Sequence, residues 1–291
     1  MTPEEQAALV AWLRRPGIVW SAVTEQLEEC GSVQKAAAMQ APAQASLFEA
    51  PPDGLDEAAH DLERWKQAGI RMVCVLDTEY PSNLRMIYQH PPVLFMRGTA
   101  DERDATSVAV VGTRQPTPRG IDQARQLAAG LAANDIPVIS GLAAGIDTAA
   151  HTAALTAGGR TVAVIGTGID RVYPPQNADL QEEIVAKGLV ISQFLPGAPP
   201  TKASFPMRNA VMSGYALATV VVEAADRSGS RVQARLALQH GRHVFLMRSL
   251  LEHRWARDYA ERPGVTVVET ADDVVAGLQR LASESTDLVW A

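Results

Sequence analysis

Ser107-Val108-Ala109-Val110-Val111-Gly112-Thr113-Arg114 is a short apolar run that ends on a glycine and an arginine. A run of this length with almost no polar alternation fits a strand buried on both faces. Five runs of the same texture follow: Pro137–Ser140, Thr161–Ile165, Leu189–Ser192, Ala218–Glu223 and His243–Met247. Between them, segments 119–133, 145–157, 178–187, 206–215 and 229–240 carry helical spacing. Strand, helix and strand repeated in this order imply a parallel sheet joined by right-handed crossovers. The expected fold class is therefore α/β, a Rossmann-like doubly wound and mainly parallel sheet centred on about residues 106–248.

The pattern extends outward from this centre. Upstream lie a helix through Leu62 and Trp65 that ends at Gly69, then β-rich runs at 71–76 and 93–97. Downstream lie a strand at 265–269 and a helix at 272–282. At the amino end, 4–15 and 18–29 read as short helices, with Pro16-Gly17 as the break and Gly31 as the stop. Thr2, Pro3 and Glu5 form a capping-box start. Residues 1–40 are expected as a small helical module, too small to be stable without docking. Residues 41–57, with Pro42, Pro51, Pro52 and Gly54, read as a linker. Residues 58–291 form the Rossmann-like domain.

Composition excludes several classes. Hydrophobic residues are 47% and charged residues 20% of the chain, as in ordinary globular proteins. Cys30 and Cys74 are far apart and lack a CxxC or histidine neighbour, so neither a disulfide framework nor a zinc site is expected. The amino end lacks the basic start and apolar run of a signal peptide, and no apolar stretch approaches a membrane span. A cytoplasmic location without membrane contact is the expectation. Net charge is −7, yet its distribution is uneven. Residues 1–63 carry −8, whereas residues 201–248 carry +5. Local charge steers a polyanion more than the total does.

Ligands of open α/β sheets bind beyond the carboxyl ends of the strands, where every unusual loop of this chain falls. Gly112-Thr113-Arg114 offers close backbone approach and a guanidinium for phosphate; a glycine turn with a solvated arginine is the competing reading. Ser140-Gly141-Leu142-Ala143-Ala144-Gly145 precedes a helix start with free amides. Asp147 and His151 follow on one face of that helix, as a structural pair or an acid–base dyad. Gly166-Thr167-Gly168 lacks the third glycine of a dinucleotide fingerprint, so NAD is not expected. Lys202, Phe205, Arg208 and Asn209 interleave cations with a ring, the chemistry that single strands need, although a core phenylalanine beside solvated charges has the same spelling. Ser228-Gly229-Ser230 opens a helix that can hold a phosphate, and Glu223 before it is catalytic or orients a loop. No nucleophile constellation, metal cluster or cofactor site is readable, so the chain is not expected to be an enzyme.

Taken together these loops resemble the DNA processing protein A (DprA/Smf) family. The resemblance is carried by Ala109–Arg114, Ser140–Asp147 with Ala150-His151, Gly166–Asn177 with Tyr173-Pro174, Phe205–Asn209 and Ser228–Ser230, in the family's order. Tyr80–Leu84 and Pro91–Leu94 add to it, and the span is about residues 62–250. The amino-terminal helices resemble the family's small helical module, of sterile-alpha-motif or helix-hairpin-helix type. The resemblance implies a protein of DNA uptake and recombination that binds and protects single-stranded DNA, is a homodimer and delivers the strand to the RecA recombinase. It places DNA on Arg114, Ser140, Gly141, Lys202, Phe205, Arg208 and Asn209.

This member is divergent. Ala210 stands where the family has a second arginine, Gln193 where it has glutamate, and Met247-Arg248 where it has Pro-Gly. A winged-helix segment is not expected either. The alternative reading is a nucleotide-ligand sensor or phosphoribohydrolase of the related superfamily. Its glycine-rich loop is missing from Glu223–Ser230.

Overall fold

The structure is a computed structural model that describes residues 1–39, 54–226 and 228–288. Most of the expected linker therefore lies outside the described residues. Helices α1 (Pro3–Leu13), α2 (Trp20–Cys30) and α3 (Val33–Met39) come first, and α4 (Leu55–Gln67) leads into the sheet. The capping box forms as its residue types require. Thr2 Oγ1 accepts the Glu5 amide at 3.2 Å, and the Glu5 carboxylate accepts the Thr2 amide at 3.0 Å. Trp12, Leu9 and Val10 of α1 are buried. Arg14 ties α1 to Asp61 of α4 and sits over the Trp65 ring.

Strand β1 (Arg71–Cys74), helix α5 (Ser82–Arg85) and strand β2 (Val93–Gly98) precede the alternating part. That part runs β3 (Val108–Val111), α6 (Pro118–Ala133), β4 (Val138–Ser140), α7 (Ile146–Thr156), β5 (Thr161–Val164), α8 (Ala178–Lys187), β6 (Leu189–Ser192), α9 (Ser204–Tyr215), β7 (Ala218–Val221), α10 (Gly229–Gln239) and β8 (His243–Met247). Helix α11 (Arg254–Ala260), strand β9 (Val265–Val268) and helix α12 (Ala271–Leu288) complete the chain. All four residues of each of β3, β5, β6 and β7 are buried, which is why their sequences show no alternation.

The nine strands form one sheet in the order β1-β2-β6-β5-β4-β3-β7-β8-β9. Strands β3 to β9 pair in parallel, whereas β1–β2 and β2–β6 are antiparallel. From β3 the chain steps one way through β4, β5 and β6. It then returns past β3 to β7 and steps the other way to β9. Right-handed crossovers put α6, α7 and α8 on one face and α9, α10 and α11 on the other. The sheet is thus doubly wound, and its direction reverses between β3 and β7, which pair from Val108↔Ala218 to Val111↔Val221. A reversal leaves the loops after these two strands diverging to opposite faces, which opens a crevice at their carboxyl ends. Among the described residues, no helix is long and apolar enough to cross a membrane.

Candidate nucleic-acid interface

The crevice holds a cavity of about 340 Å³, and its walls come from the two diverging loops. Gly112, Thr113 and Arg114 line it after β3, and Ser228, Gly229 and Ser230 line it at the start of α10. Phe205, Arg208 and Asn209 come across from α9. Ser228 and Ser230 share a hydroxyl hydrogen bond of 2.9 Å, and Asn209 Nδ2 donates to the Gly229 carbonyl at 3.3 Å. A smaller cavity of about 180 Å³ adjoins it, lined by Gly141, Gly166, Thr167, Tyr173 and Pro174. Arg114, Ala143, Phe205 and Arg208 line both.

Rings and a guanidinium mark the boundary between the cavities. The Arg114 guanidinium lies over the Phe205 ring at 4.9 Å from its centroid, within cation–π range. Tyr173 packs on Phe205 with centroids 5.7 Å apart, and is 40% exposed. Phe205 itself is half-buried, so it is neither a core residue nor a free platform. Arg114 is exposed.

Other expected site residues do different work. Arg208 is buried, and its Nη1 donates to the carbonyls of Gly141 and Val164, the latter at 2.9 Å. It therefore binds β4 and β5 ends together while lining the cavities. Burial and the neighbouring Arg114 weaken its hold on a proton. Gly141 is glycine because any Cβ would overlap that guanidinium, and Gly112 because a Cβ would overlap Ile146. Gly112 thus meets a packing demand from Ile146 while it also lines the larger cavity. Ser140 is fully buried, with its hydroxyl donating to the Val110 carbonyl at 2.6 Å, so it is spent inside the sheet. Leu142 is also fully buried and has φ 53°, its carbonyl accepting from Asn177 Nδ2 at 2.9 Å. Lys202 is exposed in the turn before α9 and lines neither cavity.

Asp147 and His151 do not pair with each other. Asp147 accepts the amides of Gly141 and Ala143 at 3.1 and 3.3 Å, which folds the 141–145 loop onto the start of α7. Burial pushes its carboxyl up, against the pull of Arg208 and those amides. His151 Nδ1 is 2.7 Å from Thr161 Oγ1, and burial, helped by Arg208, lowers its imidazole to about 3. Each side chain thus keeps its own partners, so the two form neither the structural pair nor the acid–base dyad of the two open readings. Among the described residues, no group of three or more histidine, cysteine or acidic side chains could hold a metal ion.

Tyr173, Met212 and Gln233 also line the cavities but were not expected as site residues. Met212 and Gln233 stand four residues beyond Arg208 and Gly229, so helical spacing pointed to them. Tyr173 carried only the signal of an aromatic before a proline. Of the divergent positions, Ala210 is half-buried outside both cavities, Gln193 is buried, and Arg248 pairs with Glu269.

The sequence profile of the DNA recombination-mediator protein A family matches residues 71–279. The chain belongs to this family. Its DprA relative from Bacillus subtilis is 32% identical over 216 residues, which cover 73% of each chain. DprA of Streptococcus pneumoniae is 44% identical over 171 residues, and Smf of Synechocystis 40% over 188. Those matched stretches span only 60% and 47% of the two relatives' lengths. The X-ray structure of Streptococcus pneumoniae DprA superposes with a TM-score of 0.74 at 32% identity, covering 95% of this chain and 98% of that one. DprA of Helicobacter pylori, a structure described as giving insight into that protein's single-stranded DNA binding mode, superposes at 0.65 with 25% identity. It covers 72% of this chain and 96% of its own. The family resemblance carried by the loop motifs is thereby established.

Proposed function

We propose that this family member binds single-stranded DNA in the crevice between β3 and β7 and is not an enzyme. The observation that carries the proposal is the Arg114–Phe205–Tyr173 stack at the boundary of a polar cavity. A guanidinium on a ring, with a second ring beside it, offers one group to a phosphate and π-faces to unpaired bases. Ser228, Ser230 and the first turn of α10 add hydroxyls and amides for a second phosphate oxygen. Lys202 acts from the rim, and Arg208, Gly141, Ser140 and Leu142 support the site from behind. The relatives' names and the Helicobacter pylori structure support DNA processing as the setting. Within it, we assign the chain to the cytoplasm and to delivery of the strand, as a homodimer, to the RecA recombinase. Residues 1–40 act as a docked helical module, 41–57 as its linker and 58–291 as the DNA-binding domain.

Titration of a fluorescent single strand, the matching duplex and nucleoside monophosphates, at two salt concentrations, tests the reading. The single strand should bind best, because duplex bases cannot stack on Phe205. Equal affinity for single strand and duplex would sink it. Release of free base from a monophosphate, abolished by Glu223→Gln, would favour the phosphoribohydrolase alternative.

A further inference from the structure

Arg114 sits in a strap of five residues, Thr113 to Thr117, and both ends of that strap are held by one residue. The Thr113 amide donates to the main-chain carbonyl of Glu223 at 2.8 Å. The Thr117 amide donates to the Glu223 carboxylate at 3.1 and 3.2 Å, and the Thr117 hydroxyl donates to the same carboxylate at 3.0 Å. That hydroxyl oxygen also accepts the Gly120 amide at 3.0 Å, which caps α6. The strap is fastened from its other side as well, since the Ile146 amide donates to the Thr113 carbonyl at 3.2 Å.

We infer that Glu223 is the positioning residue that sets Arg114 over Phe205. Resting on the single-stranded DNA reading above, this gives Glu223, which lines neither cavity itself, a role without chemistry. Three residues separate Thr113 from Thr117, and a loop of that length with only one end tied samples many conformations. The carboxylate removes this freedom by accepting two hydrogen bonds at the far end. A charged acceptor makes each of them stronger than a neutral one would. Its oxygens are thereby occupied by Thr117, which is the opposite of a general base facing a ligand. The negative charge beside a phosphate site is offset by these donors and the amino end of α6.

The test combines amide exchange with a double-mutant cycle on the full chain. Glu223→Ala should speed hydrogen exchange at the Thr117 amide, while the Thr113 amide, held by the main-chain carbonyl of residue 223, and helices α8 and α12 keep their protection. It should weaken single-strand binding by about tenfold, the loss of one hydrogen bond to a charged group. In an Arg114→Ala background it should weaken binding no further, because its effect passes through Arg114. Thr117→Ala should reproduce the effect if Glu223→Ala fails to fold, and Thr117→Ser should restore it. Equal loss in both backgrounds, or unchanged exchange at the strap in a folded variant, overturns the inference. If the wild type does not bind single strands yet exchange at the strap rises, the DNA reading fails and the positioning role stands.

Discussion

Phe205 and Arg114 touch, yet they are expected to answer different questions about a ligand. Removing a phosphate contact with Arg114→Ala should lower the dependence of log affinity on log salt by about 0.7. Phe205→Ala should weaken single-strand binding by about 1–3 kcal/mol. It should change the salt slope little, although the guanidinium it supports gains freedom. Fluorescence anisotropy at four salt concentrations separates the two, and equal slope changes for both variants would contradict the assignment. His151 provides a residue-scale test without any ligand. Its imidazole is held down to about 3 by burial, against an ordinary value near 6.5. The unfolded chain therefore binds a proton that the folded chain refuses. Its stabilising share is complete above about pH 6.5 and is lost as pH falls toward 3. NMR of the His151 ring should show no titration between pH 7 and 5, and a midpoint near 6.5 would mean that the ring is solvated.

Elements that repeat a period were legible in the sequence, and those fixed by one tertiary contact were not. The six central strands and five intervening helices announce themselves because burial on both faces leaves the strands mostly apolar and without polar alternation. The sheet edge is different. Strands β1 and β2 were visible as β-rich runs, but nothing local states that they pair antiparallel with each other and with β6. Helix α9 starts at Ser204, two residues before the Pro206 start that local spelling suggests, and the turn leading into it is closed by reciprocal bonds between Thr201 and Ser204 at 3.0 and 3.1 Å. Site residues split in the same way. Loop chemistry pointed to Gly229 and Phe205, which the fold brings to one cavity, whereas no local spelling shows that the Ser140 hydroxyl finds its partner 30 residues away. One long-range contact joins several elements at the opposite end of the sheet. Asp104 takes Arg160 at 2.6 and 2.8 Å and the Tyr215 hydroxyl at 3.1 Å, and both charged side chains are buried. Arg160→Ala leaves that carboxylate without its counter-charge, and should cost about 3–5 kcal/mol of stability by urea unfolding. A loss below about 1 kcal/mol would show the pair to be solvated.

At the scale of the whole molecule, the linear charge map overstated what the surface offers. Residues 201–248 carry +5, but folding gives most of their described cations partners within the chain. Arg208 and Arg242 donate to main-chain carbonyls, Arg231 lies over the Trp255 ring, and Arg248 pairs with Glu269. Lys202 and Arg235 stay exposed, and of these only Lys202 lies on the loop that leads into Phe205. Such an acidic protein repels a polyanion at a distance, so affinity has to come from a few contacts at the crevice instead of from a broad basic face. Two phosphate contacts, through Arg114 and Lys202, correspond to a salt slope of roughly 1.4 per chain, since single strands give about 0.7 for each. Lys202→Ala should therefore halve the slope, whereas Arg235→Ala, at an exposed position of α10 that lines neither cavity, should leave it unchanged. A wild-type slope above about 4, or one lowered equally by the two substitutions, would mean that the strand follows a wider basic path than this crevice.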